Sequence, residues 1–84
     1  MQFMTNPILA SQVNGYITYL SRTNQDAQTR ELIDIVRDND LSQLEAFAKR
    51  QAEIYMSHHE YLTNEQITSR HAMAQQLVGL IWMF

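Results

Sequence analysis

The residues best suited to chemistry in this sequence are three histidines and the carboxylates near them, because imidazole and carboxylate groups bind metals and transfer protons. His58 and His59 are adjacent, so on a helix their side chains would point about 100° apart and could not easily hold one ion. If the chain reverses near residues 61–64, His58, Glu60 and His71 could converge as zinc ligands. No His-x-x-x-His or Glu-x-x-His pair anchors such a site on one helix face, and we therefore favour histidines at the surface or at helix ends.

A second pattern, Asp38-x-Asp40-x-Ser42, imitates the opening of a calcium-binding loop. The match then fails, because the sixth position of the loop is Gln43 instead of glycine and the twelfth is Lys49 instead of a bidentate carboxylate. Short polar side chains compete with the helix for backbone hydrogen bonds, Asn39 tolerates the left-handed conformation that ends helices, and carboxylates favour the positive end of a helix. We therefore expect these residues to end one helix and to begin the next.

Nucleophilic catalysis would require a nucleophile, a base and an orienting group in one cleft. Ser57 stands beside His58, but this is adjacency in sequence alone. The sequence contains no Gly-x-Ser-x-Gly elbow, phosphate-binding loop or glycine-rich dinucleotide turn, and it has only 2 glycines with which to form such loops. We expect a protein that is not an enzyme and that holds no cofactor and no metal.

A DNA-binding helix-turn-helix is the alternative from a different functional class. Residues 24–38, the corner at Asn39 and the helix that follows have suitable lengths, and Gln43, Lys49 and Arg50 could face outward. Acidic residues at the start of the second helix of this unit would however meet phosphate with like charge. The alternative function is thus a dimeric nucleic-acid-linked regulator of the repressor or antitoxin type, and nucleic acid is not the partner that we favour.

Composition narrows the class of protein further. The chain has 84 residues, no cysteine, 6 basic and 9 acidic residues, and a net charge of −3. A chain of this length is expected to form one domain, 1–84, that buries about 60 to 65% of its unfolded surface, so oligomerisation would add useful stability. The first residues lack the charge and apolar core of a signal peptide, and the apolar run 77–84 is far shorter than the roughly 18 to 20 residues that span a bilayer. We expect a cytoplasmic protein with no membrane partner.

Hydrophobic residues recur at three- and four-residue spacing, which predicts helices, and no window shows the period-two alternation of a strand. Capping signals and breaks in the pattern place the helices at roughly 6–21, 24–38, 41–59 and 63–83. Because short connections favour antiparallel neighbours, we expect an all-α fold, a small bundle of about four short antiparallel helices.

The sequence offers a cap before each helix. The clearest is the pair Thr63 and Gln66, which has the spacing of a capping box, in which two residues satisfy each other's free backbone amides. Leu62 and Ile67 have the spacing of a hydrophobic staple around it. The other predicted caps are Asn6 followed by Pro7, then Thr23 or Asn24, and then Asp40 with Gln43 or Ser42 with Glu45.

The predicted buried faces follow the same helical spacing. Gly15 lies within the first helix, where glycine costs about 1 kcal/mol relative to alanine, and we predict that it allows a close crossing with a neighbouring helix. The predicted buried residues are Leu9, Val13, Tyr16, Ile17 and Leu20 in the first helix, Leu32, Ile35 and Val36 in the second, Leu41, Leu44, Phe47, Ala48, Ala52 and Tyr55 in the third, and Ile67, Ala74, Leu77, Val78, Ile81 and Phe84 in the fourth.

The end of the fourth helix carries more apolar surface than one buried face can cover. From Leu77 onward, large apolar side chains point in every direction around the helix, interrupted only by Gly79. Aromatic and methionine side chains are enriched where proteins bind each other. Elsewhere in the chain, residues of these types include Phe3, Met4, Tyr16, Tyr19, Tyr55 and Tyr61.

We therefore interpret the chain as a small non-catalytic protein–protein interaction module. It would be an inhibitor, antagonist or adaptor, of the kind found among phage and mobile-element accessory proteins and anti-defence proteins, and it would act by steric occlusion of a larger protein target. A homodimer is expected. The predicted partner-binding residues are Met73, Leu80, Trp82, Met83 and Phe84 at the apolar end and Glu31, Asp34 and Asp38 in an acidic stripe.

Overall fold

The computed structural model describes residues 2–57 and 63–83, with the side chains of 54–57 left out. This part of the chain forms four helices, α1 (Pro7–Arg22), α2 (Asp26–Asp38), α3 (Leu41–Ser57) and α4 (Asn64–Met83), and contains no strand. The predicted all-α class with four short helices is confirmed. The predicted extension of the third helix to residue 59 falls outside the described residues.

The chain divides into two compact units, Met1–Leu44 and Glu45–Phe84. The first unit contains α1, α2 and the first turn of α3, and α1 packs against α2 within it. The second unit contains the remainder of α3 and α4. The single domain and the antiparallel order of all four helices stay predictions.

The start of α1 follows the sequence signal closely. The side-chain oxygen of Asn6 accepts hydrogen bonds from the amides of Ile8 at 3.0 Å and Leu9 at 3.1 Å. Pro7 occupies the first helical position, where a missing N–H removes no helical hydrogen bond. The predicted cap at Asn6 is confirmed.

The turn between α1 and α2 differs from the prediction that Thr23 or Asn24 caps α2. Thr23 instead ends α1, because its amide and its hydroxyl both donate to the carbonyl of Tyr19, at 3.1 and 2.9 Å. Asn24 takes a left-handed conformation with φ of 59°. The N-cap of α2 is Gln25, whose side chain makes no capping hydrogen bond and donates to the Thr23 hydroxyl. The prediction was wrong because that hydroxyl is engaged by the preceding helix.

Asn39 ends α2 in the left-handed conformation that the sequence predicts, with φ of 53°, and its amide donates to the carbonyl of Ile35 at 2.8 Å. Its side chain has a second role. The side-chain oxygen accepts the amides of Phe3 at 3.0 Å and Met4 at 2.9 Å. One residue therefore joins the end of α2 to the segment before α1, where the Phe3 side chain is fully buried.

α3 begins after Asp40, one of the two predicted caps. The Asp40 carboxylate accepts the amide of Ser42 at 3.1 Å and its hydroxyl at 2.9 Å, so Ser42 takes the place of the predicted partner Gln43. These two hydrogen bonds lower the pKa of Asp40 below its ordinary value because they stabilise the charged carboxylate, and the hydrogen bond from the hydroxyl has the larger effect.

The buried residues largely match the predicted faces. In the first unit they are Phe3, Leu9, Val13, Tyr16, Leu20, Leu32, Ile35 and Leu44, with Gln25, and in the second Phe47, Ala48, Ala52, Ala74, Leu77 and Ile81, with Gln51. Several residues predicted to be buried lie at the edges of these faces and are only half-buried, because an edge position of a helical stripe keeps contact with solvent. These are Ile17, Val36, Leu41, Ile67 and Val78.

Candidate interaction surface

The capping box predicted at the start of α4 is confirmed. The Thr63 amide donates to the side-chain oxygen of Gln66 at 3.0 Å, and the Gln66 amide donates to the Thr63 hydroxyl at 3.1 Å. Leu62, half of the predicted staple, lies outside the described residues. The box fixes where α4 starts, and within the helix residues three and four positions apart share a face.

The two sides of α4 differ in exposure. Ala74, Leu77 and Ile81 are buried at three- and four-residue spacing. The opposite side is exposed, and at 100° per residue its members span about 120° of the helix circumference. We define this outer face of α4 as Ala72, Gln75, Gln76, Gly79, Trp82 and Met83, all of them exposed.

The apolar end of this face carries the large apolar side chains that are exposed among the described residues of the second unit. Trp82 is 76% exposed and Met83 is 84% exposed. Leu80 and Met73, predicted to bind a partner together with them, are half-buried. Phe84 lies beyond the described residues. The binding role of all five residues stays a prediction.

A shallow groove lies beside Trp82. It has a volume of about 230 Å³ and is lined by Glu45 of α3 and by Ile81 and Trp82 of α4. Lys49 pairs with the Glu45 carboxylate at 2.8 Å, four residues along the same helix. The indole thus borders both solvent and a partly apolar depression, which is the setting in which an aromatic side chain anchors a partner.

The acidic stripe of α2 is less open than its sequence indicates. Asp34 and Asp38 are exposed, whereas Glu31 is half-buried. Asp34 forms an ion pair with Arg37, three residues along the helix. Exposed pairs of this kind contribute only about 0.2 to 0.5 kcal/mol to helix stability. The positive charge of Arg37 also offsets part of the negative charge of the stripe. The role of the acidic stripe in binding a partner stays a prediction.

Two other aromatic residues that resemble binding anchors by type, Phe3 and Tyr16, are part of the buried interior. Phe3 and Tyr16 are fully buried, and the Tyr16 and Tyr19 rings meet edge to face with centroids 6.3 Å apart. Two exposed apolar residues received no attention in the sequence, Ile8 at 67% and Ile33 at 48%. Each lies on the solvent-exposed side of its helix, and only the three-dimensional structure shows that its side chain is exposed.

Of the three residues considered as zinc ligands, only His71 is described. It is half-buried in α4, and its Nδ1 atom is buried without a hydrogen-bond partner. His58 and Glu60 lie outside the described residues, so their convergence with His71 stays a prediction. Among the residues that are described, no three histidine or carboxylate side chains lie close enough together to hold an ion.

Gly15 does not serve a close helix crossing as predicted. A Cβ atom built on Gly15 would meet nothing within 4 Å, and the same holds for Gly79. Both glycines are exposed. The prediction was wrong because the spacing of apolar residues places Gly15 opposite the buried stripe and not within it.

No protein-family model, curated protein or solved structure matches the chain. None of the helices within residues 2–57 and 63–83 has both the length and the hydropathy that are needed to cross a bilayer.

Proposed function

We propose that this protein is a small non-catalytic protein–protein interaction module that binds a larger protein through the apolar end of α4 and acts by steric occlusion. Trp82 and Met83 are its anchor. The observation that carries the proposal is their exposure, 76% and 84%, in a chain whose other large aromatic residues include the fully buried Phe3 and Tyr16.

Energetics support this use of the two side chains. A tryptophan or methionine left in water forgoes roughly 1.5 to 3 kcal/mol of favourable transfer, which burial against a partner recovers. Anchors of this kind commonly contribute 2 kcal/mol or more to binding, about thirtyfold in the dissociation constant. Inhibitors, antagonists and adaptors all act in this way, by covering a surface that another molecule needs.

The acidic stripe supplies a second, weaker contact in this proposal. Asp34 and Asp38 are exposed on α2, and the whole chain has a net charge of −3. Opposite charge on the target would speed association and would be screened by salt, whereas contact with Trp82 would not. We also propose that the protein forms a homodimer and works in the cytoplasm.

The test is affinity capture from a lysate of the source cells, with captured proteins identified and quantified by mass spectrometry. We expect Trp82→Ala to reduce capture of the target at least tenfold. Ile8→Ala is the matched control, because it removes an apolar side chain that is 67% exposed on a different helix. Equal capture by wild type and Trp82→Ala, with both variants folded, would contradict the proposal.

The two contacts separate by their response to salt. Replacing Asp34 and Asp38 by asparagine is expected to weaken capture at low ionic strength and to have little effect at about 1 M salt, where the screening length falls to about 3 Å. Trp82→Ala should weaken capture by the same factor at both ionic strengths. If the loss of capture caused by Trp82→Ala depended on salt, the contact at Trp82 would be electrostatic, and the proposed apolar anchor would be refuted.

A further inference from the structure

The groove beside Trp82 combines two kinds of surface. Of the residues that the structure describes, Glu45, Ile81 and Trp82 line it, around a volume of about 230 Å³. Glu45 belongs to α3, whereas Ile81 and Trp82 are neighbours on α4. One helix thus supplies a carboxylate, and the other supplies an aliphatic and an aromatic side chain. An occupant of this groove has to match both the charge and the apolar surface.

The charge of the groove is negative. Glu45 is the one charged side chain among the described residues that line it, and 41% of that side chain is exposed. The Lys49 ammonium pairs with Oε1 of Glu45 at 2.8 Å, and the Lys49 side chain is itself 51% exposed. Exposed pairs of this kind are weak, so a cation with better geometry can take the place of the ammonium. The complementary occupant is therefore a cation.

The indole of Trp82 selects among cations. Its side chain is 76% exposed, and the face of a tryptophan ring attracts positive charge, most often the guanidinium of arginine. A guanidinium is planar and weakly hydrated, so it stacks on an aromatic ring and can donate two parallel hydrogen bonds to a carboxylate. The compact ammonium of lysine does neither. The methylene groups of arginine can also pack on an aliphatic side chain such as Ile81.

We propose that the groove between Glu45 and Trp82 binds the side chain of an arginine on the target protein. This inference rests on the proposed function in one respect, namely that the target docks at the apolar end of α4. Tryptophan and arginine are both enriched at interface hot spots, and hot spots tend to meet each other across an interface. The guanidinium displaces Lys49 from Glu45 and stacks on the indole.

Salt distinguishes the two contacts of this arginine. The contact with Glu45 is screened by salt because the carboxylate is partly exposed. The stacked contact with Trp82 excludes water, and screening affects it little. The salt dependence therefore belongs to Glu45, and the loss of capture expected for Trp82→Ala stays independent of salt.

Binding of N-acetylarginine amide to the whole chain tests the proposal. The indole N–H of Trp82, the single tryptophan, reports binding in NMR spectra. We expect a dissociation constant in the millimolar range, because the probe is small. N-acetylcitrulline amide has nearly the same shape without the charge and should bind at least about fivefold more weakly. Equal binding of the two probes, or no shift of the indole resonance at about 100 mM probe, would overturn the proposal.

Two charge variants test the role of the carboxylate, with folding checked by circular dichroism. Glu45→Gln should weaken binding of the arginine probe at least about threefold, and Glu65→Gln is the matched control, because it removes the same charge from an exposed position of α4. Lys49→Gln should strengthen binding about twofold, since it removes the competing ammonium. Arg37→Gln is its control, because it frees an acidic partner on α2 in the same way. Unchanged binding in Glu45→Gln, or weaker binding in Lys49→Gln, would overturn the proposal.

The ring face is tested at position 82 itself, with the backbone amide of Ile81 as the reporter. Trp82→Phe keeps an aromatic face with a weaker attraction for cations, whereas Trp82→Leu keeps apolar surface alone. We expect the arginine probe to bind in the order wild type, Trp82→Phe, Trp82→Leu, with a total loss of at least about fivefold. Equal binding of the probe by wild type and Trp82→Leu would refute the stacked contact.

The two proposals fail separately. If wild type does not distinguish the arginine probe from the citrulline probe while Trp82→Ala still loses its target, the arginine site is refuted and the proposed function stands. If the arginine probe binds as expected while Trp82→Ala captures the target normally, the proposed function fails and the arginine site stands.

Discussion

Asn39 shows how one side chain can hold two segments that are distant in sequence. It ends α2 in a left-handed conformation and accepts the amides of Phe3 and Met4, 36 and 35 residues away. The buried Phe3 side chain depends on this anchor for its position. The residue therefore contributes through backbone conformation and through two hydrogen bonds, and these contributions can be measured apart.

We predict that Asn39→Ala lowers the free energy of unfolding by about 2 to 3 kcal/mol, since it loses both hydrogen bonds and strains the left-handed backbone. Asn39→Gly should cost less, about 1 to 2 kcal/mol, because glycine accepts that backbone conformation. Denaturant unfolding measures both values. Asn14→Ala, at an exposed position of α1, is the control and should change stability by less than about 0.5 kcal/mol. Equal losses for the alanine and glycine variants would show that the side chain alone matters.

Gln51 is a buried polar residue of the second unit, at 2% exposure, and its side-chain oxygen is buried without a hydrogen-bond partner. An unpaired buried acceptor costs about 1 to 3 kcal/mol. We therefore predict that Gln51→Met, which has a similar shape, raises the free energy of unfolding by about 1 kcal/mol in denaturant titrations. Gln43→Met, exposed on the same helix, should leave it unchanged. A loss of stability in Gln51→Met would mean that the amide is hydrogen-bonded in solution.

At the scale of the element, α1 and α4 each contain one exposed glycine with open space where a Cβ would stand. Glycine within a helix is less favourable than alanine by about 0.5 to 1 kcal/mol because it loses more backbone freedom on folding. Gly15→Ala and Gly79→Ala should each raise the melting temperature by about 2 to 8 °C, measured by circular dichroism at low protein concentration. A fall in melting temperature for Gly15→Ala would show that the added methyl group meets a neighbouring helix, as the sequence predicts.

The four helices also differ in how completely their starts are specified. Asn6, Asp40 and Thr63 each cap a helix through their own side chains; the sequence identifies Asn6 and Thr63 and gives Asp40 as one of two alternatives. α2 begins without a side-chain cap, because Thr23 and Gln25 are engaged with the end of α1 and with each other. Local signals thus fail at the turn between α1 and α2, because the Thr23 hydroxyl that they assign to the start of α2 is engaged by the end of α1.

At the scale of the whole molecule, the exposure of the end of α4 predicts how the fluorescence of the single tryptophan responds to unfolding. Trp82 is 76% exposed, so in dilute solution its emission should resemble that of the unfolded chain and should be quenched readily by acrylamide. Unfolding in denaturant should shift the emission maximum very little, while circular dichroism reports the loss of helix. A large red shift on unfolding of the dilute protein would show that the indole is buried in the folded monomer.

The sequence by itself determined the all-α class, the helix caps at Asn6 and Thr63, the left-handed turn at Asn39 and most of the buried residues. These features depend on residues within about four positions of each other, and helical periodicity sorts residues into faces without knowledge of what lies opposite. The same periodicity predicts that apolar side chains surround the end of α4, and Trp82 and Met83 are indeed exposed there.

Tertiary structure alone decided which apolar residues are enclosed and which segments meet. Phe3 and Trp82 are both large aromatic residues near an end of the sequence, yet one is fully buried and the other is 76% exposed. The Phe3 amide is hydrogen-bonded to the Asn39 side chain across 36 residues, a contact that no local pattern encodes. Burial is a property of the space around a side chain, and that space is filled by residues far away in the sequence.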